Sequence, residues 1–334
     1  MRRDSRLGPA TRWLGTALGA LALVGGTPSA IARDAVAEGG AFITLGTMGG
    51  PVADGKRSQP ANLLVAGSDL YIVDAGDGTA QQLAKAGFQL PQVRAVFLSH
   101  LHVDHTGGLS AILGLRNQTK VAVPLVVYGP PGTRELVAGI VASMRPAALA
   151  GYGIPGQPWD DPAAMVEVVE MGDCFTRTIG TMNVRAVQNT HYDFVPGSAE
   201  DRAFKSLSLR FDLPDRSILY TGDTGPSPAV EKLARGVDLL VSEMIDIDAT
   251  LATVARNSPN MPEKAKADLV QHLTTHHLTP QDVGLLASRA GAKALVVTHF
   301  AGGTAGPERL SAIVDQVRKT YSGPVTLAKD LDRF

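Results

Sequence analysis

The chain of 334 residues carries 31 Lys and Arg against 32 Asp and Glu, a formal charge of −1, and is 44% hydrophobic. That is long enough to bury a sizeable core in one large domain, and with no long run of like charge it speaks against a polyanion-binding protein. Cys174 is the only cysteine, which excludes an intramolecular disulfide and a two-thiolate metal site; it reads as a small apolar residue, buried or half-buried.

At the N-terminus, Arg2, Arg3, Arg6 and Arg12 precede an apolar stretch from Trp13 to Val24, then small residues ending in Ala30-Ile31-Ala32. This is the order of a secretory signal peptide cut after Ala32, and a dozen apolar residues fall short of the roughly 20 needed to cross a bilayer. The expectation is a leader over residues 1–32, one domain over 33–334, and a periplasmic or secreted protein without a permanent membrane anchor. Loss of the leader leaves 27 basic and 31 acidic side chains, a balance that predicts no nucleic-acid partner.

Beyond the leader, short apolar runs at 42–45, 62–66, 70–73, 95–98, 125–128, 184–187, 217–220, 239–241 and 294–297 alternate with helical patterns at 79–86, 132–143, 228–234, 280–290 and 307–320. Runs that are apolar without interruption are strands buried on both faces, which predicts a layered α/β protein. The Gly- and Pro-rich stretch 151–162 reads as a surface loop, either a simple connector or a border of the substrate site.

The decisive segment is Ser99-His100-Leu101-His102-Val103-Asp104-His105, directly after the strand at 95–98. Three imidazoles and a carboxylate in six residues converge only if the chain turns sharply, and they are the donor types that hold Zn(II) or Fe(II) with positions left open for water. Gly107 and Gly108 suit a tight turn into a helix. Further candidates stand where other apolar runs end: His191, Asp223 in Thr221-Gly222-Asp223-Thr224, and His299.

In these residues, and in Leu45-Gly46-Thr47 with Gly49-Gly50, Val73-Asp74-Ala75-Gly76-Asp77-Gly78, Asp238 to Glu243 and Val297 to Phe300, the chain resembles the metallo-β-lactamase superfamily. The similarity is to its tRNase Z, arylsulfatase-like and phosphodiesterase-like branch, from about Phe42 to the C-terminus. The resemblance implies a four-layer αββα sandwich. It implies that His100, His102 and His191 hold one zinc, that Asp104, His105 and His299 hold a second, that Asp223 bridges them, and that Asp74 supports the metal loop from beneath. Two zinc ions per chain would then supply a metal-bound hydroxide at neutral pH.

A candidate acid for the leaving group lies in His272-Leu273-Thr274-Thr275-His276-His277. Thr279 and Asp282 have capping-box spacing with Pro280 at the first helical position, so His277 falls on the loop just before a helix. By the resemblance, His277 is the acid and Glu243 orients it, although the family's usual His-Ser-Thr is His277-Leu278-Thr279 here and His276 is a rival. His272 reads most simply as an exposed helical residue. With Asp104, His277 and Glu243 as the catalytic set, the expected function is hydrolysis of small phosphodiester or sulfate esters by an exported enzyme. The partner is then a small-molecule ester, and a homodimer is open. Lactone or β-lactam hydrolysis, with Tyr192 or Tyr152 polarising a carbonyl, is the alternative; a di-iron oxidoreductase and a non-catalytic zinc-binding protein are alternatives of other classes.

Overall fold

The computed structural model of the protein describes residues 40–302 and 306–334, so the expected leader lies outside the described residues. Among those residues, no helix is long and apolar enough to cross a membrane.

The first sheet begins with β1 (Ala41–Gly46), β2 (Ala61–Ala66) and β3 (Asp69–Ala75), paired antiparallel, and continues through β4 (Val93–Phe97), β5 (Leu125–Gly129) and β6 (Val166–Glu170), all parallel. The second consists of β7 (Phe175–Ile179), β8 (Met182–Gln188), β9 (Leu207–Asp212) and β10 (Ser217–Tyr220), paired antiparallel, then β11 (Leu239–Ile245), β12 (Ala294–Ala301) and β13 (Val325–Leu327), paired parallel. Because successive side chains point to opposite faces, the apolar runs serve two cores. In β3, Leu70 and Ile72 face outward with Ile43, Leu63 and Val65, while Tyr71 and Val73 face inward with Phe42 and Leu64.

The outer face of the first sheet is covered by α1 (Thr79–Lys85), α3 (Leu109–Gln118) and α4 (Thr133–Ala150), which bury Leu83, Leu109, Ile112 and Val137. Between the sheets, Phe97 stacks on Tyr128 at 4.8 Å and meets Phe211 of the opposite sheet edge-on at 5.4 Å. The short helix α5 (Ala199–Ala203) lies between β8 and β9; on the far side, α6 (Pro228–Leu233), α9 (Pro280–Ala290) and α10 (Pro307–Arg318) bury Val230, Val283, Leu286, Ile313 and Val317 against β10, β11 and β12. The layers therefore run helix, sheet, sheet, helix, as the resemblance implied.

Several elements depart from the sequence reading. Strands β6, β7, β9 and β13 were not anticipated: β6, β7 and β13 lie at sheet edges with none of their residues fully buried, which breaks the apolar run. The helix expected to end at Ser143 continues through Pro146 to Ala150, giving up the hydrogen bond that proline cannot donate. The Gly- and Pro-rich loop packs on the end of α3, where the Tyr152 hydroxyl donates to the Gln118 carbonyl at 2.9 Å, and is a connector away from the histidines. Cys174 is exposed, in a turn with φ 59, not buried.

Candidate metal centre

The parallel strands all point their C-terminal ends the same way, and the candidate residues gather there. After β4 the chain leaves the sheet at Ser99 and His100, passes His102, and enters a single helical turn, α2 (Val103–Thr106), that carries Asp104 and His105. This loop lies so close to the end of β3 that a side chain at Gly108 would sit 2.2 Å from the Gly76 carbonyl, which explains the glycine there. His191 follows β8, Asp223 follows β10 and His299 sits within β12. Gly222, at φ 56, supplies the left-handed turn that brings Asp223 in. Asp74 and His299 adopt φ values of 56 and 42 without being glycine.

The seven residues fall into two groups that share Asp223. In the first, His102 Nδ1 lies 3.0 Å from His100 Nε2 and 3.1 Å from His191 Nε2. His191 Nδ1 contacts the His276 carbonyl at 3.3 Å, so that nitrogen carries the proton and Nε2 holds a lone pair. His100 Nδ1 lies 3.1 Å from Ser99 Oγ, whose own proton goes to Asp74, and the same reasoning leaves His100 Nε2 bare. Two lone pairs thus point at one nitrogen that has at most one proton to give. In the second group, His105 Nε2 and His299 Nε2 each lie 3.3 Å from Asp223 Oδ1, with Asp104 Oδ2 at 3.7 and 3.6 Å. Asp223 Oδ2 reaches toward His100 Nε2 at 4.0 Å.

The donor set fits a metal. His105 Nε2 and Asp223 Oδ1 are buried with no hydrogen-bond partner, which costs roughly 1–3 kcal/mol for each such atom unless something else satisfies it. Both groups, His100 with His102 and His191 and Asp104 with His105 and His299, have ligand atoms within 4.8 Å of one another. Nitrogen and carboxylate donors at this spacing suit a divalent cation.

Beneath the groups lies Asp74, fully buried. Its Oδ1 accepts from the Ser99 backbone N–H at 2.7 Å, and its Oδ2 accepts from Ser99 Oγ at 2.8 Å, His105 Nδ1 at 2.8 Å and the Tyr220 hydroxyl at 2.7 Å. That proton on His105 Nδ1 fixes the tautomer whose Nε2 is free to ligate. Burial pushes the His100 and His191 imidazoles well below the usual range, keeping both neutral. His105 is pushed down by burial as well, but Asp223, Asp74 and Asp104 outweigh this and hold it well above, so a cation bound there takes the place of the proton on Nε2.

Beside the groups stands the pair expected from the sequence. His277, on the loop ahead of α9, donates from Nδ1 to Glu243 Oε2 at 2.8 Å and lies 3.1 Å from Oε1. The capping box of Thr279 and Asp282 is formed, and Glu243 is further held by the Thr224 backbone N–H at 2.7 Å. Burial lowers an imidazole's pKa, yet the Glu243 carboxylate outweighs it and lifts His277 to about 9. His276 instead points Nδ1 at the Thr190 carbonyl at 2.8 Å and offers its own carbonyl to His191, so its contacts brace the ligand loop.

Two helices follow β11: α7 (Ile247–Asn257), which the sequence reading did not assign, and α8 (Glu263–Thr275), the helix on which it placed His272 without giving bounds; they wall a cleft of about 600 Å³ whose floor includes His102, Asp104, Asp223, His277 and His299. The remaining wall is apolar, with Met48, Val52, Val254, Met261 and Leu269. His272 of α8 corrects an expectation: its ring packs 4.9 Å from His191 and 5.2 Å from His277, and burial, with the neighbouring His277 and His276, lowers it to about 4. A lone histidine on a helix gives no sequence cue to this position; only the packing of α8 over the strand ends reveals it.

Residues 70–300 match the family described as a Beta-lactamase superfamily domain. The chain is 30% identical over 300 residues to the ribonuclease Z of Mycolicibacterium paratuberculosis (strain ATCC BAA-968 / K-10), covering 87% of this chain and 96% of that one. It is 30% identical over 260 residues to the ribonuclease Z of Mycobacterium sp. (strain KMS), covering 77% and 83%. The metallo-beta-lactamase fold protein YhfI from Bacillus subtilis superposes with a TM-score of 0.63 at 17% identity over 88% of this chain and 98% of that one. The short form of human tRNase Z gives 0.59 at 21% over 88% and 98%; both show the fold.

These relatives overturn the expectations of a small phosphodiester or sulfate ester as substrate, with its alternatives, and of no nucleic-acid partner. The expectation rested on the expected export, on the net charge and on Arg134 and Arg145 being the only basic residues between Gly132 and Thr176; a net charge is summed over the whole surface, and a basic patch can lie on any other segment.

Proposed function

The chain belongs to the metallo-β-lactamase superfamily of metal-dependent hydrolases, and from that membership we propose that it hydrolyses phosphodiester bonds of RNA, using two zinc ions per chain. The observation that carries the proposal is the buried contact between His277 and Glu243 at the edge of the His and Asp groups. Sugar alkoxides are poor leaving groups, and a positioned acid with a pKa near or above neutrality is what their departure requires. The substrate class is taken from the relatives named ribonuclease Z.

His100, His102 and His191 would hold one ion, Asp104, His105 and His299 the other, with Asp223 shared. Bound there, such ions supply Lewis-acid stabilisation of the phosphoryl oxygens and lower the pKa of a coordinated water. Asp74 holds the His105 tautomer, and the His276 carbonyl holds that of His191. Helices α7 and α8 wall the cleft and give substrate an apolar side to lie against. Glu243 engages Nδ1 of His277, so Nε2 is the nitrogen that gives a proton to the departing ribose oxygen as the P–O bond breaks, and the Glu243 carboxylate favours the protonated ring before that step.

The test is cleavage of an RNA with an unpaired 3′ extension by the zinc-loaded protein, beside aryl phosphodiester and aryl sulfate substrates. Turnover of the RNA by the wild type, lost in His277→Ala at unchanged zinc content, is the expected result. Turnover of aryl sulfate with RNA untouched would overturn the proposal.

A further inference from the structure

Next to the cleft, on the other side of His191 and His272, is a second recess of about 300 Å³ lined by Tyr192, Phe194, Asp268, Gln271 and His276. A line of rings leads into it from the ligand cluster: His102 to Tyr192 at 5.5 Å, Tyr192 to Phe194 at 5.6 Å, and Phe194 to Phe204 at 6.0 Å. None of Tyr192, Phe194 and Phe204 belongs to the hydrophobic clusters that hold the described residues together. Phe194 is 37% and Phe204 51% exposed, and between them Val195 is 73% exposed. Large apolar side chains grouped in water at the rim of a site mark a binding surface more often than a packing accident.

We propose that Tyr192, Phe194 and His272 form a stacking subsite for an unpaired nucleobase adjoining the scissile bond, a deepening that rests on the RNA-hydrolase reading above. Flat rings recognise nucleobases through their faces, and only bases freed from a duplex have faces to offer. The rim adds an edge as well as a face. The Asp268 carboxylate accepts from an exocyclic amine, and the Gln271 amide both donates and accepts, matching the mixed edge of a base. The Asp268 contact with Lys264 Nζ at 2.9 Å is an exposed ion pair within one helix, weak enough to be shared. His272 belongs to both cavities, so a base stacked beside it places its phosphate toward His102 and His277.

The proposal is tested by the affinity of the metal-loaded protein for a short single-stranded RNA with cleavage-resistant phosphorothioate linkages, against an abasic strand of the same length and charge. Stacking on this subsite predicts that the wild type prefers the base-bearing strand by about 5- to 150-fold. Phe194→Ala, at a half-exposed loop position, should bring that ratio close to one, and Phe194→Trp should keep it. A ratio that neither variant changes overturns the subsite. Cleavage of the unmodified RNA is scored separately. If the ratio depends on Phe194 but no RNA is cut, the hydrolase reading fails and the subsite stands; if RNA is cut with a ratio of one, the subsite alone fails. Absence of both binding and cleavage overturns both.

Discussion

The Tyr220 hydroxyl, at the tip of β10, donates a 2.7 Å hydrogen bond to Asp74 Oδ2, at the tip of β3, and this bond ties the two sheets together directly beneath His105. One carboxylate therefore aligns the sandwich and orients a ligand. Asn at position 74 has a single acceptor oxygen and cannot serve Ser99, His105 and Tyr220 together. Asp74→Asn should destabilise the fold by about 1–3 kcal/mol for each donor left bare and weaken zinc binding by roughly 10- to 100-fold. Thermal unfolding and a competitive zinc titration measure the two effects; unchanged values in both would remove Asp74 from this role.

His102→Ala is expected to lower bound zinc and abolish hydrolysis, because Nδ1 of His102 is the atom on which His100 and His191 converge. His277→Ala should retain zinc and lose rate chiefly on substrates with alkoxide leaving groups, by about 10²- to 10⁴-fold. Metal analysis of the purified variants separates the two roles, and a zinc deficit in His277→Ala would refute the assignment.

Chelation is expected to lower the melting temperature as well as the activity. An ion at 100 times its Kd contributes about 2.7 kcal/mol to the folded state, and its removal leaves His105 Nε2 and Asp223 Oδ1 bare again. The loss should reverse on adding zinc, as followed by thermal scans with and without chelator.

If His277 is the acid, its protonated form is expected to set the alkaline limb of the rate profile. With the ring lifted to about 9 by Glu243, its proton is present at neutral pH and is lost as pH rises through that value. Glu243→Gln removes the raising charge and leaves the burial that lowers it, so the limb should move to lower pH. A pH profile of kcat for both proteins checks this; coincident limbs would show that another group is responsible.

Phe97→Ala should cost about 3–5 kcal/mol, since the ring fills the layer between the sheets, stacked on Tyr128 and edge-on to Phe211. Denaturant unfolding reads this directly, and a loss under 1 kcal/mol would mean that the layer can close around the gap.

The sandwich could be read from the sequence because β1 to β5 and β10 to β12 are buried on both faces and so spell uninterrupted apolar runs. Edge strands β6 and β7, half in water, carry no such run. His100 to His105 were conspicuous because neighbours in sequence are neighbours in the site. His272 and Phe194 were not, because His272 joins the cleft, and Phe194 the recess beside it, through contacts made only when α8 and the loop after β8 fold over the strand ends. The substrate was misread for a related reason: a total of charges has no address on the surface.

Asp74 and His299 both hold backbone angles that nearly all residues other than glycine avoid, at a cost of order 1–3 kcal/mol each. Glycine would relieve that strain at either position, yet glycine offers neither a carboxylate nor an imidazole. At position 74 glycine would also strand the four donors that the carboxylate satisfies, so selection for stability keeps that strain; His299, whose Nδ1 has no hydrogen-bond partner, is where a directed-evolution campaign screened only by melting temperature should return variants that are firmer and inert.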